Sequence, residues 1–481
     1  MERCRRVDAK QARQATGVTK YSPSVDHSGE ARSSAGTVGI VGAGNVGVAT
    51  ATVLASWKTQ ALLVENDPAR YELLCKHRIP FFDPDLEALL GDVARQGTLR
   101  FSRTIDDLAD ADVVIVCVGT PPTTSGGLDL GALERVVDRL TEVSPSGTVV
   151  VIKSTVPPGT TERLAGVVSR TRPDLSLVSC PEFLREANCL DDVLRPARIV
   201  IGGPKRAACE KVAALFAPAN APIILTSAAS AELIKYGANA FLATKISFVN
   251  ELSHFCDLVG ADITVVAEGI GADPRIGTSC FSAGLGFGGS CFPKDVRALE
   301  DLGASRGYRS LLLQACSEIN AQQKERVIAK IRASLGGTLS ERHVAVLGLA
   351  FKPGTDDLRQ APSLDVIGKL VLEGAKVTAT DPAAAPSGDE LPRGVKVVRD
   401  AYRCVQGADA ILLATEWPEY RSLDWARVRS SMRGNVVVDG RNFLHGAHLV
   451  ELGFVYQGVG NATRQPTTPS RAALKLKSLP E

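Results

Sequence analysis

The sequence predicts an α/β protein in which two doubly wound parallel sheets are joined by a helical middle. Three observations lead there. An opening made of strand, glycine turn, helix and second strand occurs twice. Short, continuous apolar runs follow each opening. Between the two halves, apolar residues recur at helical rather than strand-like spacing.

The first opening reads VGIVGAGNVGVATATVLASWKTQALLVENDP. The second, from Val344, reads VAVLGLAFKPGTDDLRQAPSLDVIGKLVLEGAKVTATDP. Each ends its second apolar run in Asp-Pro, but only the first carries a complete G-x-G-x-x-G. ADVVIVCVGTPP, GTVVVIKSTVPPG and ARIVIGG follow the first opening, and GADAILLATEW and GNVVVDGRN follow the second. Runs that are continuous rather than alternating suit parallel strands covered on both faces. From about 230 to 330 no such run occurs, and AELIKYGANAFLATKISFVNELSHFCDLVG keeps a helical period. The expected organisation is a structureless tail over 1–35, a Rossmann-like domain over 36–229, a central helical domain over 230–335, a second Rossmann-like domain over 340–460 and a tail over 461–481.

Composition agrees with this division. A chain of 481 residues exceeds one ordinary core. Its 44% apolar and 22% charged residues are those of a soluble globular protein. A formal charge of +2 gives no general attraction to nucleic acid or to acidic membranes. Eleven cysteines, an odd number without any CxxC pair, fit neither a disulfide framework nor a zinc knuckle, so reduced thiols in a cytoplasm and no metal site are expected. Residues 35–57 are uncharged and long enough to span a bilayer, yet they hold five glycines, an asparagine and three threonines, which suits a glycine turn better. The first 35 residues mix Arg with Glu and Asp and have no apolar core, so no secretory signal is expected among them.

Gly42, Gly44 and Gly47 lie between a strand-like run and a helix. Glycines there allow a tight turn and close approach of a pyrophosphate to the helix N-terminus. Glu65 ends the next strand, about 20 residues on, where a carboxylate binds a ribose diol and repels an added phosphate. NAD is therefore the expected cofactor.

Two pairs and one thiol carry the candidate chemistry. Lys235 and Asn239 are four apart on a helical segment and share a face, able to hold a water or polarise a substrate oxygen. Glu182 and Glu186 are also four apart, with Pro181 at an expected helix start whose field favours ionised carboxylates. Cys291 follows Gly286, Gly288 and Gly289 and precedes Lys294 and Asp295; flexible backbone around it argues against a packed structural role, and nearby lysines favour the thiolate. A thiolate adds to an aldehyde, and the thiohemiacetal can lose a second hydride to give a thioester that water hydrolyses. A cysteine is thus needed if an alcohol is oxidised past the aldehyde to an acid.

Over about residues 36–460 the chain resembles the UDP-glucose/GDP-mannose dehydrogenase family. The resemblance rests on GAGNVG, VGTPP, KSTVPPGT, PEFLREA, AELIKYGANAFLATKISFVNE, DPRIG, GFGGSCFPKD, GLAFKPGTDDLR and DGRN. It implies NAD on the first sheet, a nucleotide-sugar on the second, and a homodimer formed through the helical middle. It implies four-electron oxidation of a nucleoside-diphosphate sugar, UDP-glucose to UDP-glucuronate before dTDP-glucose or GDP-mannose. Cys291 matches the nucleophile. Lys235, Asn239 and Asp295 match residues holding water and the oxyanion. Glu182 matches a base of the thioester stage, with Thr155 ordering water beside it. Cofactor contacts are implied for Gly42, Gly44, Val46, Gly47, Glu65, Thr120, Thr155, Lys294 and Arg359. Nucleotide-sugar contacts are implied for Glu182, Phe183, Leu184, Glu186, Lys235, Asn239, Phe287, Gly288, Gly289, Ser290, Phe351, Lys352 and Arg441, and for Arg275 from the partner subunit.

Four positions depart from the family pattern. Cys180 stands where Asn is usual, Ala187 where Gly is usual, Gln360 where Glu is usual, and Cys280 where an aromatic is common. None removes a catalytic group. Phe292 favours glucose over mannose, where Leu is more frequent. Uracil against thymine is one methyl, worth only about 1–3 kcal/mol of discrimination. A two-electron hydroxyacid dehydrogenase would share the first domain and the Lys-x-x-x-Asn face but would need neither Cys291 nor a second α/β domain. A non-catalytic nucleotide-sugar sensor would be expected to lack the cysteine, the lysine or an acid.

Overall fold

The structure, a computed structural model, describes residues 19–21, 36–123, 126–386 and 388–466. They form two compact units. The first runs up to Ala238 and takes back Arg297–Gly307; the second comprises Asn239–Val296 and the chain from Tyr308 onward.

The first unit holds strands β1 (Thr19–Tyr21), β2 (Thr37–Val41), β3 (Ala61–Val64), β4 (Leu99–Ser102), β5 (Ala111–Val116), β6 (Val149–Ile152), β7 (Ser176–Ser179), β8 (Ile199–Gly202) and β9 (Ile223–Thr226). They form one sheet in the order β1-β9-β8-β7-β6-β5-β2-β3-β4. From β4 to β7 every neighbour is parallel, and the order reverses beside β2, between β3 and β5. Ligands of doubly wound sheets bind at that reversal. The apolar runs are continuous because alternate residues enter different cores. Val38, Ile40, Val113 and Ile115 pack on one face, while Val41, Val114, Val116 and Ile152 pack on the other. Each such side chain, fully buried, contributes about 1.5–3 kcal/mol.

The second unit repeats the plan with β10 (His343–Leu347), β11 (Lys376–Thr380), β12 (Lys396–Val397), β13 (Ala410–Leu413), β14 (Val436–Asp439) and β15 (Val455–Gly458), ordered β12-β11-β10-β13-β14-β15. All its pairs are parallel, and the reversal falls beside β10.

Helices Ala228–Val259, Ile263–Gly271 and Leu311–Ser334 make up most of the middle, as the periodicity predicts. The middle is not a third compact unit, however. The division falls inside the helix Ala228–Val259, after Ala238, and inside the helix Phe292–Ala304, after Val296. A long helix carries its hydrogen bonds internally, so nothing in the backbone marks a boundary there.

Both expected tails need correction. Thr19–Tyr21 is a strand, pairing antiparallel with β9 through Thr19–Leu225, Lys20–Ile224 and Tyr21–Ile223. Three residues suffice because β9 offers an otherwise open edge. At the other end Arg464 exchanges two backbone bonds of 2.9 Å with Tyr456, extending the ordered chain past residue 461. Residues 1–18, 22–35 and 467–481 of the expected tails lie outside the described residues. Among the described residues no helix is long and apolar enough to cross a membrane; the uncharged stretch 35–57 supplies β2, the glycine turn and the helix Asn45–Ser56.

Candidate active site and cofactor turn

In the first unit the glycine turn has the geometry its spacing predicts. Gly42 has φ +100°, and a Cβ there would lie 3.0 Å from the Cys117 carbonyl oxygen. A Cβ on Gly47 would lie 1.8 Å from the carbonyl oxygen of Gly42, so only glycine lets the helix start this close. A Cβ on Gly44 would meet nothing within 4 Å. Helix Asn45–Ser56 begins there with no side-chain cap and no acid in its first turn, and Val46 is half-buried in that turn. Its amide donors and positive dipole end are therefore available to an anion. Glu65 is buried, and its carboxylate accepts from Ala43 N–H at 3.0 Å and Asp67 N–H at 2.9 Å, which ties the turn to the end of β3. Thr120 follows β5 and donates its hydroxyl to the Thr155 carbonyl at 2.8 Å. The bare amides, the uncovered Gly44 and the acid at the strand end fit a dinucleotide.

Also in the first unit, Glu182 and Lys235 form an ion pair of 2.6 Å with both side chains buried. Burial works against the Glu182 charge. The Lys235 ammonium, its hydrogen bond, the Leu184 N–H and the Lys153 charge together outweigh it and hold the carboxyl below the ordinary glutamate range. Glu182 is thus an ionised acceptor beside a fixed cation. Phe183 lies under two cations, Arg198 at 3.7 Å and Lys235 at 5.7 Å from its ring centre.

The expected helix over Glu182 and Glu186 is absent. Residues 180–185 are irregular and the helix starts only at Cys189. Two local choices displace it: Glu182 accepts from Leu184 N–H two residues on, and Ala187 turns left-handed at φ +64°. Glu186 therefore does not follow Glu182 by one helical turn.

Lys235 and Asn239 do lie one turn apart on the helix Ala228–Val259, Lys235 in the first unit and Asn239 in the second. In the second unit Asn239 donates from Nδ2 to Asp295 at 2.6 Å, and Lys294 binds the other carboxylate oxygen at 2.8 Å. Asp295 is 1% exposed. The implied cofactor contact Lys294 is thus paired with the buried acid. Cys291 caps the helix Phe292–Ala304: its carbonyl accepts from Asp295 N–H at 2.8 Å, and its sulfur lies 3.6 Å from the Ser290 hydroxyl. The positive end of the helix favours an anion at that place.

The glycines before Cys291 serve close packing, which corrects the reading of a flexible loop. A Cβ on Gly286 would lie 2.4 Å from Asn320 Oδ1, one on Gly288 would lie 2.2 Å from the Gln360 carbonyl, and one on Gly289 would lie 2.8 Å from the Phe351 ring. Residues 283–289 are all buried, Phe287 among them.

The second opening turns at Gly348, φ +99°. Asp381 accepts from Leu349 and Ala350 N–H at 2.7 and 3.0 Å, as Glu65 does in the first. Its helix begins only at Pro362, and the intervening loop carries Phe351, Lys352 and Arg359. Lys352 Nζ stands 5.5 Å from the Phe351 ring centre, and Arg359 is held by Asp357 at 2.8 Å. Arg441, after β14, is fastened to the carbonyls of Ala414 (2.8 Å), Gly286 (3.3 Å) and Phe351 (3.3 Å). Arg275 is paired with Asp273 and points into solvent.

Several functional-looking residues escape sequence reading. Glu232, 2% exposed, accepts from the N–H of Gly159 and Thr161 and from the Thr161 hydroxyl, capping a helix 71 residues earlier. Lys153 is buried with its Nζ 5.3 Å from the Phe216 ring centre. Asp439 accepts from three amides and the Tyr456 hydroxyl. The position of Lys153 at the end of an apolar run was the one available signal; the other partners are remote in sequence. Among the described residues no cluster of His, Cys, Asp and Glu could hold a metal.

Comparison with known proteins identifies the family. Residues 36–220 match the NAD binding domain of the UDP-glucose/GDP-mannose dehydrogenase family, 229–322 its central domain and 345–446 its UDP binding domain. The UDP-glucose 6-dehydrogenase of Pseudomonas aeruginosa is 42% identical over 88% of this chain and 96% of its own. UDP-glucose 6-dehydrogenase TuaD of Bacillus subtilis is 37% identical over 90% and 95%. Among solved structures, a UDP-glucose dehydrogenase from Pyrobaculum islandicum superposes with TM-score 0.82 at 36% identity, covering 91% of this chain and 100% of that one. A UDP-D-ManNAc dehydrogenase from Pyrococcus horikoshii reaches 0.79 at 27%, over 88% and 99%. With all three domains of the family matched along the chain, and relatives of up to 42% identity covering most of it, the chain belongs to the UDP-glucose/GDP-mannose dehydrogenase family.

Proposed function

We propose that this chain oxidises UDP-glucose to UDP-glucuronate, with Cys291 as the covalent nucleophile. The observation that carries the reading is Cys291 at a helix N-terminus, beside a buried Asp295 held by Asn239 and Lys294. A simple alcohol dehydrogenation has no use for a thiol in such a setting.

Bound NAD, held by the Gly42–Gly47 turn and Glu65, supplies the hydride acceptor, used twice per sugar. The chain's own groups do the rest. A base takes the C6 hydroxyl proton as the alcohol becomes an aldehyde; a water held by Asn239 and Asp295 fits that task. The Cys291 thiolate adds to the aldehyde carbon, and the Lys235 ammonium steadies the oxyanion. Loss of the second hydride turns the thiohemiacetal into a thioester. Water, activated by ionised Glu182 with Thr155 beside it, cleaves the C–S bond, returning the thiol and releasing the acid. One sugar, two NAD+ and one water give the uronate, two NADH and three protons. Lys352 and Arg441 supply fixed charge for the diphosphate.

The chain acts as a homodimer in this reading. Phe241, Phe248 and Phe255 recur every seventh residue on the helix Ala228–Val259 and are 66%, 47% and 56% exposed; Leu258 and Val259 continue the face. A second copy would cover it and bring Arg275 to the neighbouring site. None of the ten described cysteines is joined in a disulfide, which suits a reducing cytoplasm.

The test is NADH formed per UDP-glucose at limiting sugar, alongside Cys291→Ser. Two NADH per sugar, with the variant releasing no free acid, is the expected result. One NADH per sugar in the wild type overturns the thioester route.

A further inference from the structure

The loop that delivers Cys291 has no strand beside it, yet its backbone is paired. Gly284 N–H donates to Asn250 Oδ1 at 2.8 Å, and Gln323 Nε2 donates to the Gly284 carbonyl at 2.9 Å. Asn320 takes both sides of Phe287, accepting from its N–H at 2.8 Å and donating to its carbonyl at 3.1 Å. Asn320 and Gln323 are three apart on the helix Leu311–Ser334, and the loop residues they bind, Phe287 and Gly284, are also three apart. One helix face thus reads one stretch of loop as a neighbouring strand would. The three amides are 9%, 2% and 0% exposed.

Amides are poor choices for simple filling of such a space. A buried amide loses its water and recovers that loss only by meeting a matching partner, whereas Leu or Met would fill the volume without that demand. What the amide adds is a fixed address for a backbone group. Gly286 shows how close the fit is: its φ of +100° and the 2.4 Å between its would-be Cβ and Asn320 Oδ1 leave room for nothing larger. Downstream, Gly289 N–H is fixed by the Arg359 carbonyl at 3.1 Å and the Cys291 carbonyl by Asp295 N–H at 2.8 Å. Phe287 is the upstream anchor of the short span that carries the sulfur.

We infer that Asn320, with Gln323 one turn later, is a positioning pair that sets the reach of the Cys291 sulfur and so governs the thiol-dependent half of the oxidation. The inference rests on Cys291 being the nucleophile. Neither amide touches a reacting atom. Displacing a reacting group by about 1 Å can cost roughly 100-fold in rate, so a slack anchor suffices for a large effect.

Asn320→Ala is tested on two substrates: UDP-glucose, following the first hydride in a single turnover, and the UDP-glucose 6-aldehyde, which needs only the thiol-dependent half. Aldehyde oxidation is expected to fall at least tenfold in kcat with KM within threefold, while the first hydride transfer changes less than threefold. Equal losses in both halves, or no loss with the aldehyde, would overturn the inference, since general loosening slows both. Should Asn320→Ala fail to fold, Gln323→Met keeps the side chain's length while dropping its bonds to the Gly284 carbonyl and Asn250 Oδ1 and the one it accepts from Arg326; about a threefold split is expected, and its absence overturns the inference equally. Cys291→Ser runs alongside. If it oxidises the aldehyde at the wild-type rate, the nucleophile reading falls, whatever Asn320 does.

Discussion

The two glycine turns begin alike and end differently. Gly42 and Gly348 have φ of +100° and +99°, and each donates its N–H to the adjacent strand, Gly42 to Val64 at 2.9 Å and Gly348 to Thr380 at 2.8 Å. Each turn is drawn in by a carboxylate at the end of that strand, Glu65 or Asp381. In the first the helix starts at Asn45, so bare amides face the ligand. In the second it starts at Pro362, and a loop bearing Lys352 and Arg359 comes between. In the proposed reading the first turn meets phosphate through the main chain and the second through the Lys352 side chain, with Arg359 of the same loop left to the cofactor. The same backbone device serves two ligands according to where the helix begins.

Gly47→Val should break the first turn most severely. Its side chain would collide with the Gly42 carbonyl, 1.8 Å from the Cβ position. NADH affinity measured by fluorescence should fall by more than roughly 100-fold, with UDP binding kept within about twofold. Equal loss of both ligands would show that the two turns are not independent.

Asp381→Asn should come next. The carboxylate accepts from Leu349, Ala350, Ala383 and Ala384 N–H and from Trp417 Nε1. An amide cannot accept on both ends, so denaturant titration should show a loss on the order of 2–3 kcal/mol. Lys352→Ala should weaken UDP by about tenfold and flatten the salt dependence of UDP binding. NADH binding through main-chain amides should be unchanged.

The smallest effect should be opposite responses of the two units to acid. Glu182 is held below its ordinary range: burial opposes the charge, but Lys235 and the Leu184 amide prevail. Its pair stabilises the first unit at neutral pH and is lost as pH falls through the depressed value. Burial pushes Asp439 above its ordinary range despite the amides of Leu444 and Arg441. That strain is present at neutral pH and is relieved as pH falls through the raised value, so the second unit gains. Trp57 reports on the first unit and Trp417 and Trp425 on the second. Fluorescence of Trp57→Phe against the parent should show the first unit losing stability relative to the second as the pH is lowered. Parallel shifts would sink the assignment.

Legibility in the sequence followed the range of the forces involved. The glycine turn, the buried strands and the Lys235–Asn239 face are written in local spacing, and all three are found. The segment Pro181–Ala187 misled because a carboxylate bonding two residues ahead, and an alanine at positive φ, defeat a helix that spacing alone allows. The glycines near Cys291 suggested flexibility because their crowding comes from Asn320, Phe351 and Gln360, far along the chain. Glu232 and Asp439 act on backbone amides, which no side-chain pattern advertises.

Ala187 gives the molecule something else. At φ +64° a side chain costs about 1–2 kcal/mol relative to an ordinary conformation, and the family's usual glycine at this place would remove the cost while adding chain entropy. The strain is the larger of the two, so Ala187→Gly should raise stability by up to about 1 kcal/mol. The backbone that follows the buried, ionised Glu182 is thus held in a shape its own side chain opposes, like a spring kept wound by the carboxylate's bond to Leu184 N–H and the packing around it.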